Sequence, residues 1–125
     1  MTIALDIDGT ISEHPAFFAL LAASFRASGH RVIVLTYRDP VRAAATRAQL
    51  AAWGVEFDDL VIAPSLTGKG ELCTAHAVDV FFDDQDECIA DVPESVLVFK
   101  VRNGGNFAFD SRRWLSTAKL TELIR

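Results

Sequence analysis

At 125 residues the chain fits a single domain, 1–125, long enough to bury a core without disulfide or metal staples. Half of its residues are apolar, with nine Phe and two Trp, which excludes a disordered chain. The net charge of −5 leaves no global basic field for a nucleic acid or an anionic membrane.

The first element is the apolar run that begins at Ile3 and closes on Asp6-Ile7-Asp8-Gly9-Thr10. It reads as a buried strand, central in a sheet, with two carboxylates spaced i, i+2 where the strand stops. Gly9 lets the chain turn sharply there. Pro15 is suited to the first turn of a helix, and Phe17, Phe18, Leu20, Leu21 and Phe25 give that helix a wide apolar face over 15–28. Gly29 is placed to end it. The β-branched run 31–36 predicts a second buried strand that ends on Thr36. An Ala-rich helix follows over 41–53, and then a third short strand over 60–63.

Gly68-Lys69-Gly70 leads into a helix over 71–77, and Val78-Asp79-Val80-Phe81-Phe82 is a fourth strand that ends at Asp83 and Asp84. A short helix to about residue 91 is broken by Pro93, and 95–99 forms a fifth strand. Residues 101–106 are turn-rich, and 114–124 reads as a closing amphipathic helix. Strands alternating with helices imply an α/β fold: a Rossmann-like three-layer domain around a central parallel sheet of about five strands.

Asp83, Asp84, Asp86 and Glu87 crowd together in sequence. Like charges this close cost free energy unless a cation or basic group is near, which points to a metal. Cys73 and Cys88 are isolated and lack zinc-ligand spacing, so both read as core-facing thiols. No basic-apolar-small leader opens the sequence and no apolar run reaches about 18 residues, so the expected location is cytoplasmic, without membrane contact.

In a parallel sheet the strand ends carrying Asp6 and Asp8, Thr36, and Asp83 and Asp84 share one edge, where open α/β sheets bind ligands. Lys69, at a helix start, joins them beside N–H groups that favour an anion. Such a pocket suits phosphoryl transfer. One carboxylate can attack phosphorus, a second can move a proton, and carboxylates from two strands can hold Mg2+. A hydroxyl and an ammonium can bind the phosphoryl oxygens. A dianionic phosphate would not approach so many carboxylates without the metal and the lysine together.

In order along nearly the whole chain, these residues resemble the haloacid dehalogenase-like (HAD) superfamily of phosphohydrolases. Asp6-Ile7-Asp8-Gly9-Thr10 resembles its D-x-D-G-T signature. Thr36, Lys69 and the Phe81-Phe82-Asp83-Asp84 segment resemble its second, third and fourth motifs. The resemblance implies an aspartyl-phosphate intermediate on Asp6, with Asp8 as general acid and base and its carbonyl on Mg2+. It implies that Thr36 and Lys69 hold the phosphoryl group, beside Gly9 and Thr10. Of the acid pair, Asp84 is the better direct metal ligand, with Asp83 nearby or bonded through water. Arg38 is a candidate phosphate or substrate contact. His14 sits where the family has a mobile flap, and residues 103–106 follow the fifth strand towards the same edge. His30 and His76 read as solvent or packing residues.

Two rivals carry different expectations. A receiver domain also gathers acids, a Thr and a Lys, but its paired acids follow the first strand and its lysine follows the last. A catalytically silent binding module would carry the same fold without turnover. The intervals between Thr10, Thr36 and Lys69 hold only core elements and leave no room for a cap. The resemblance is therefore to capless members, the magnesium-dependent phosphatases and the phosphatase part of polynucleotide kinase 3′-phosphatases. An open site admits large substrates, or a neighbouring copy can cover it in a homo-oligomer. The acidic charge favours a small phosphorylated molecule over nucleic-acid or protein ends, which stay the alternative.

Overall fold

The computed structural model describes residues 1–115. Five strands form one sheet: β1 (Thr2–Leu5), β2 (Arg31–Thr36), β3 (Asp59–Ile62), β4 (Val80–Asp83) and β5 (Leu97–Lys100). Their order is β3-β2-β1-β4-β5, and every pairing is parallel. The chain is thus a single small Rossmann-like α/β domain, as the strand–helix alternation predicts.

The central place of β1 follows from its composition. Its apolar residues supply both faces of the sheet at once. Ile3 and Leu5 point to one side, where they meet Val32, Val34 and Val80 with Phe18 and Ala22 of α1 (Pro15–Ala27) and Leu50 of α2 (Ala43–Ala52). Ala4 points to the other side, with Ile33, Leu35, Val61 and Phe81 against Cys73 of α3 (Lys69–Ala75) and Ile89 of α4 (Asp86–Ile89). Both thiols, Cys73 and Cys88, are free and buried, as their isolation in sequence predicts. Phe81 and Leu35 are fully buried, so truncating either to Ala would cost about 2–5 kcal/mol.

Helix boundaries differ from the expected ones for local reasons. Asp39 accepts a hydrogen bond from the Val41 N–H at 3.0 Å, and Pro40–Arg42 forms a separate single turn, so α2 begins at Ala43. Gly68 has helical backbone angles, which moves the start of α3 back to Lys69. The Val78 N–H closes onto the Cys73 carbonyl at the end of α3, and β4 begins two residues later.

After β5 the chain turns through residues 103–106 into a hairpin that the sequence did not suggest, β6 (Phe107–Ala108) with β7 (Arg113–Trp114). Phe107 meets Trp114 edge to face at 5.3 Å, and the Arg102 guanidinium lies 4.9 Å from both the Phe107 and Phe109 rings. Of the helix expected over 114–124, Trp114 lies in β7, and residues 116–124 are outside the described residues. No helix among the described residues is long and apolar enough to cross a membrane.

Candidate active site

The carboxyl ends of β1, β2 and β4 converge on one pocket. The Asp6 N–H continues the ladder onto the Phe82 carbonyl at 3.0 Å, which fixes the point where β1 stops. A tight turn follows. Gly9 takes φ +85°, the Ser12 N–H reaches the Ile7 carbonyl at 3.0 Å, and Ser12 Oγ accepts from the Gly9 N–H at 2.9 Å. The turn separates the two acids: Asp6 is buried, whereas the Asp8 side chain is 64% exposed. Thr10 is buried behind Asp6, with its hydroxyl 3.4 Å from Asp6 Oδ2.

Lys69 reaches this pocket from the first residue of α3 and is itself buried. Its Nζ lies 2.8 Å from Asp6 Oδ1 and 2.7 Å from Asp83 Oδ2. Burial alone would lower the lysine's pKa, but the Asp6 and Asp83 carboxylates outweigh it and hold the ammonium above its ordinary value. Asp6 behaves differently. Burial pushes its carboxyl up to about 8, with Asp83 and Asp84 pushing the same way against the pull of Lys69. One ammonium shared between two carboxylates, with a third close by, does not neutralise the cluster.

Asp6, Asp83 and Asp84 each offer an oxygen, and the three oxygens lie within 4.8 Å of one another. Asp83 has little left to give. Its Oδ1 accepts from the N–H groups of Asp84 at 2.7 Å and Gln85 at 3.0 Å, and its Oδ2 faces Lys69. Asp84 Oδ2 accepts from Asn103 Nδ2 at 2.9 Å, while its Oδ1 is buried with no hydrogen-bond partner. Burial raises the Asp84 pKa, opposed first by the Asn103 hydrogen bond. An unpartnered buried carboxylate oxygen costs free energy, and a hard divalent cation with oxygen preference would relieve it. The donor set therefore fits Mg2+. The Thr36 hydroxyl, at the end of β2, is a second buried polar atom without a partner.

Arg38 is near this group, but its fork is on Asp8. Its Nε and Nη2 donate to the two Asp8 oxygens at 3.0 and 2.9 Å, and its Nη1 donates to Thr46 Oγ1 at 3.2 Å and Gln49 Oε1 at 2.8 Å. A bidentate pair of this kind fixes the carboxylate plane. The exposed His14 precedes α1 and makes no side-chain hydrogen bond among the described residues.

The 103–106 loop, which follows β5, holds the turn after β1 and the end of β4 together. Asn103 Nδ2 donates to both the Gly9 carbonyl and Asp84 Oδ2, and Asn106 Nδ2 donates to the Asp84 and Val101 carbonyls. The signal was the pairing of two Asn around Gly-Gly directly after a strand. Tyr37, Leu66 and Gln85, which no sequence motif marks, and the core thiol Cys88 line a cavity of about 190 Å³ with Asp6, Asp8 and Lys69. A larger cavity, about 660 Å³, lies at the opposite sheet edge beside Arg31, and there Arg26 is paired with Glu56 and Asp58.

No family model matches the chain, and no curated protein matches it. Among solved structures it is similar to a chain in the structure of a Pnkp1/Rnl/Hen1 complex, at 19% identity and a TM-score of 0.66. That match covers 82% of this chain and 46% of the other, so this chain spans less than half the length of that relative. It is also similar to a universal stress protein solved in complex with cAMP, at 14% identity and a TM-score of 0.51, over 82% of this chain and 98% of the other. At such identities the likeness is one of fold, and it agrees with the single Rossmann-like α/β domain described above.

Proposed function

We propose that the chain is a Mg2+-dependent phosphomonoester hydrolase of the HAD type, without a cap, acting through an aspartyl-phosphate on Asp6. The observation that carries this reading is the buried Lys69 bridging Asp6 and Asp83, with Asp84 Oδ1 and Thr36 Oγ1 buried at the neighbouring strand ends without partners. A receiver domain would not have its lysine on the helix that precedes the strand bearing the acid pair. The two free thiols fit a reducing compartment, so we take the setting as cytoplasmic.

Asp6 attacks phosphorus with one carboxylate oxygen as the bond to the ester oxygen breaks, and Asp8 gives its proton to the departing alkoxide. In the second half Asp8 takes a proton from water, whose oxygen attacks the aspartyl-phosphate and releases inorganic phosphate. Lys69 holds negative charge at the nucleophile and at the phosphoryl oxygens, and Thr36 donates its free hydroxyl to one of them. Asp6, Asp84 and the Asp8 carbonyl would hold Mg2+, with Asp83 behind them holding Lys69. Bound there, the metal would offset the charge of the phosphoryl group and let a dianion approach the acids. The Arg38 fork fixes the plane of the Asp8 carboxylate, and one Asp8 oxygen leaves the fork when that carboxyl carries the proton.

The chain between Thr10 and Thr36 holds a turn, α1 and β2, and that between Thr36 and Lys69 holds α2, β3 and two single turns. All of these are core elements, which supports the capless reading and an open site. Our preferred substrate is a small phosphomonoester. Phosphate release measured over a panel of phosphorylated metabolites and end-phosphorylated oligonucleotides tests the proposal. Turnover is expected to need Mg2+ and to vanish in Asp6→Asn; full activity in that variant would overturn the assignment.

A further inference from the structure

We infer that the phosphomonoester taken by this site carries a flat heteroaromatic ring, as in a nucleoside monophosphate, and that Tyr37 is the surface on which the ring stacks. The inference rests on the phosphohydrolase reading for the fate of the phosphate, but the ring site itself stands on separate observations.

Tyr37 follows directly on Thr36, at the rim where β2 leaves the sheet, and 48% of it is exposed. It is a wall common to two cavities. One is the cavity of about 190 Å³ that contains Asp6, Asp8 and Lys69. The other, about 600 Å³, lies outside it between Tyr37 and a wall of Pro40, Ile62, Ala63 and Pro64. That volume is within the range of small-ligand sites, about 300–1,000 Å³. A leaving group that runs from a phosphate at Asp6 along the Tyr37 ring would enter this larger space.

The chemistry of that wall selects among leaving groups. Two prolines, an isoleucine and an alanine offer no side-chain donors or acceptors, so a polyol such as a sugar would lose hydrogen bonds to water without replacing them. The polar side chains at the border are Arg38 and Asp39. Arg38 is held by Asp8, Thr46 and Gln49. Asp39 uses Oδ1 to cap Val41, which leaves its second oxygen to accept from a hydroxyl or an exocyclic amine. A flat ring with one or two polar edges suits this combination, and stacking removes the exposed Tyr37 face from water. The aromatic residues of the hairpin do not offer an equivalent surface, because Phe107 and Phe109 flank Arg102 and Trp114 faces Lys100 at 4.5 Å.

Calorimetric titration of the Asp6→Asn protein with Mg2+ present reads binding without turnover, using adenosine 5′-monophosphate and glycerol 3-phosphate as probes. Adenosine 5′-monophosphate is expected to bind at least about tenfold more tightly. Adding Tyr37→Ala should reduce that preference to about threefold or less, and adding Tyr37→Phe should retain it. The Phe variant keeps the fold and the ring, so it guards against a loss caused by misfolding. Equal binding of the two probes, no binding of the nucleotide, or a preference that survives Tyr37→Ala would overturn the ring site. A Tyr37-dependent preference in a protein whose unmutated form releases no phosphate would reject the hydrolase reading and leave the ring site standing.

Discussion

The Asn103 side-chain amide donates one hydrogen bond to the Gly9 carbonyl and one to Asp84 Oδ2, each at 2.9 Å. It thereby ties the turn after β1 to the acid at the end of β4, from a loop that follows β5. Its carbonyl oxygen is held in turn by the N–H groups of Gly105 at 2.8 Å and Asn106 at 3.1 Å. The amide is thus fixed at both ends and orients Asp84 so that Oδ1 is left for a ligand.

Asn103→Ala should therefore weaken both Mg2+ binding and the fold. Loss of a group that orients a metal ligand costs about 10–100-fold in affinity. The stability loss should be about 1–3 kcal/mol, from the polar atoms left without partners. Calorimetric Mg2+ titration and urea unfolding measure the two. An unaltered Mg2+ affinity would show that Asn103 does no more than close the loop.

The protonation of Asp6 gives the metal-free protein a pH dependence of stability. Its folded pKa, about 8, lies above the ordinary value of 3.8. A raised carboxyl pKa means that the Asp6 contribution is fully present below about pH 4 and is lost as pH rises to about 8. In chelator, Asp6→Asn should remove this loss, because the Asn side-chain oxygen still accepts from Lys69. Its melting temperature at pH 8 should exceed that of the unmutated protein by about 5 °C or more, and the gap should close at pH 4. Mg2+ should stabilise the unmutated protein increasingly as pH rises through about 8, because the metal competes with the proton on Asp6. Melting curves across pH, with and without Mg2+, test both statements.

Much of this arrangement is legible in the sequence because the pocket hangs on strand ends. A buried parallel strand is an apolar run, so the residue where the run stops is readable, and Asp6, Thr36 and Asp83 all sit at such stops. Lys69 was readable for a related reason, as the cation at the start of a helix. What strand periodicity does not carry is side-chain direction within a turn. Asp6 and Asp8 are two residues apart, yet one is buried and the other exposed, because Gly9 at φ +85° reverses the chain between them and α1. The pairing of Arg38 with Asp8 spans 30 residues and follows from that reversal. The hairpin is not legible in the sequence, because its strands have two residues each, too few to show alternation.

Arg38 should matter to turnover more than its ion pair with Asp8 matters to folding. Its partner Asp8 is 64% exposed, so the ion pair itself is worth about 1 kcal/mol or less. Arg38→Lys keeps the charge but loses the fork that fixes the Asp8 carboxylate plane. The expected result is a fall in kcat of about tenfold or more, with KM changed less, since proton transfer depends on the position of the acid. Steady-state kinetics on the substrate found in the panel would measure it. A selective rise in KM would instead assign Arg38 to substrate binding.

Gly9 and Gly29 separate backbone strain from a steric effect on the site. Both have positive φ, +85° and +86°. A Cβ at Gly29 would meet nothing within 4 Å, whereas a Cβ at Gly9 would overlap the Asp84 carboxylate. Gly29→Ala should therefore cost about 1–2 kcal/mol of stability and leave turnover and Mg2+ affinity unchanged. Gly9→Ala carries the same strain and must also displace Asp84 from Asn103, so it should lose Mg2+ affinity by tenfold or more and turnover with it. Unfolding curves and Mg2+ titrations of the two variants, run side by side, give the comparison. If Gly9→Ala binds Mg2+ as the unmutated protein does, Asp84 is not a metal ligand.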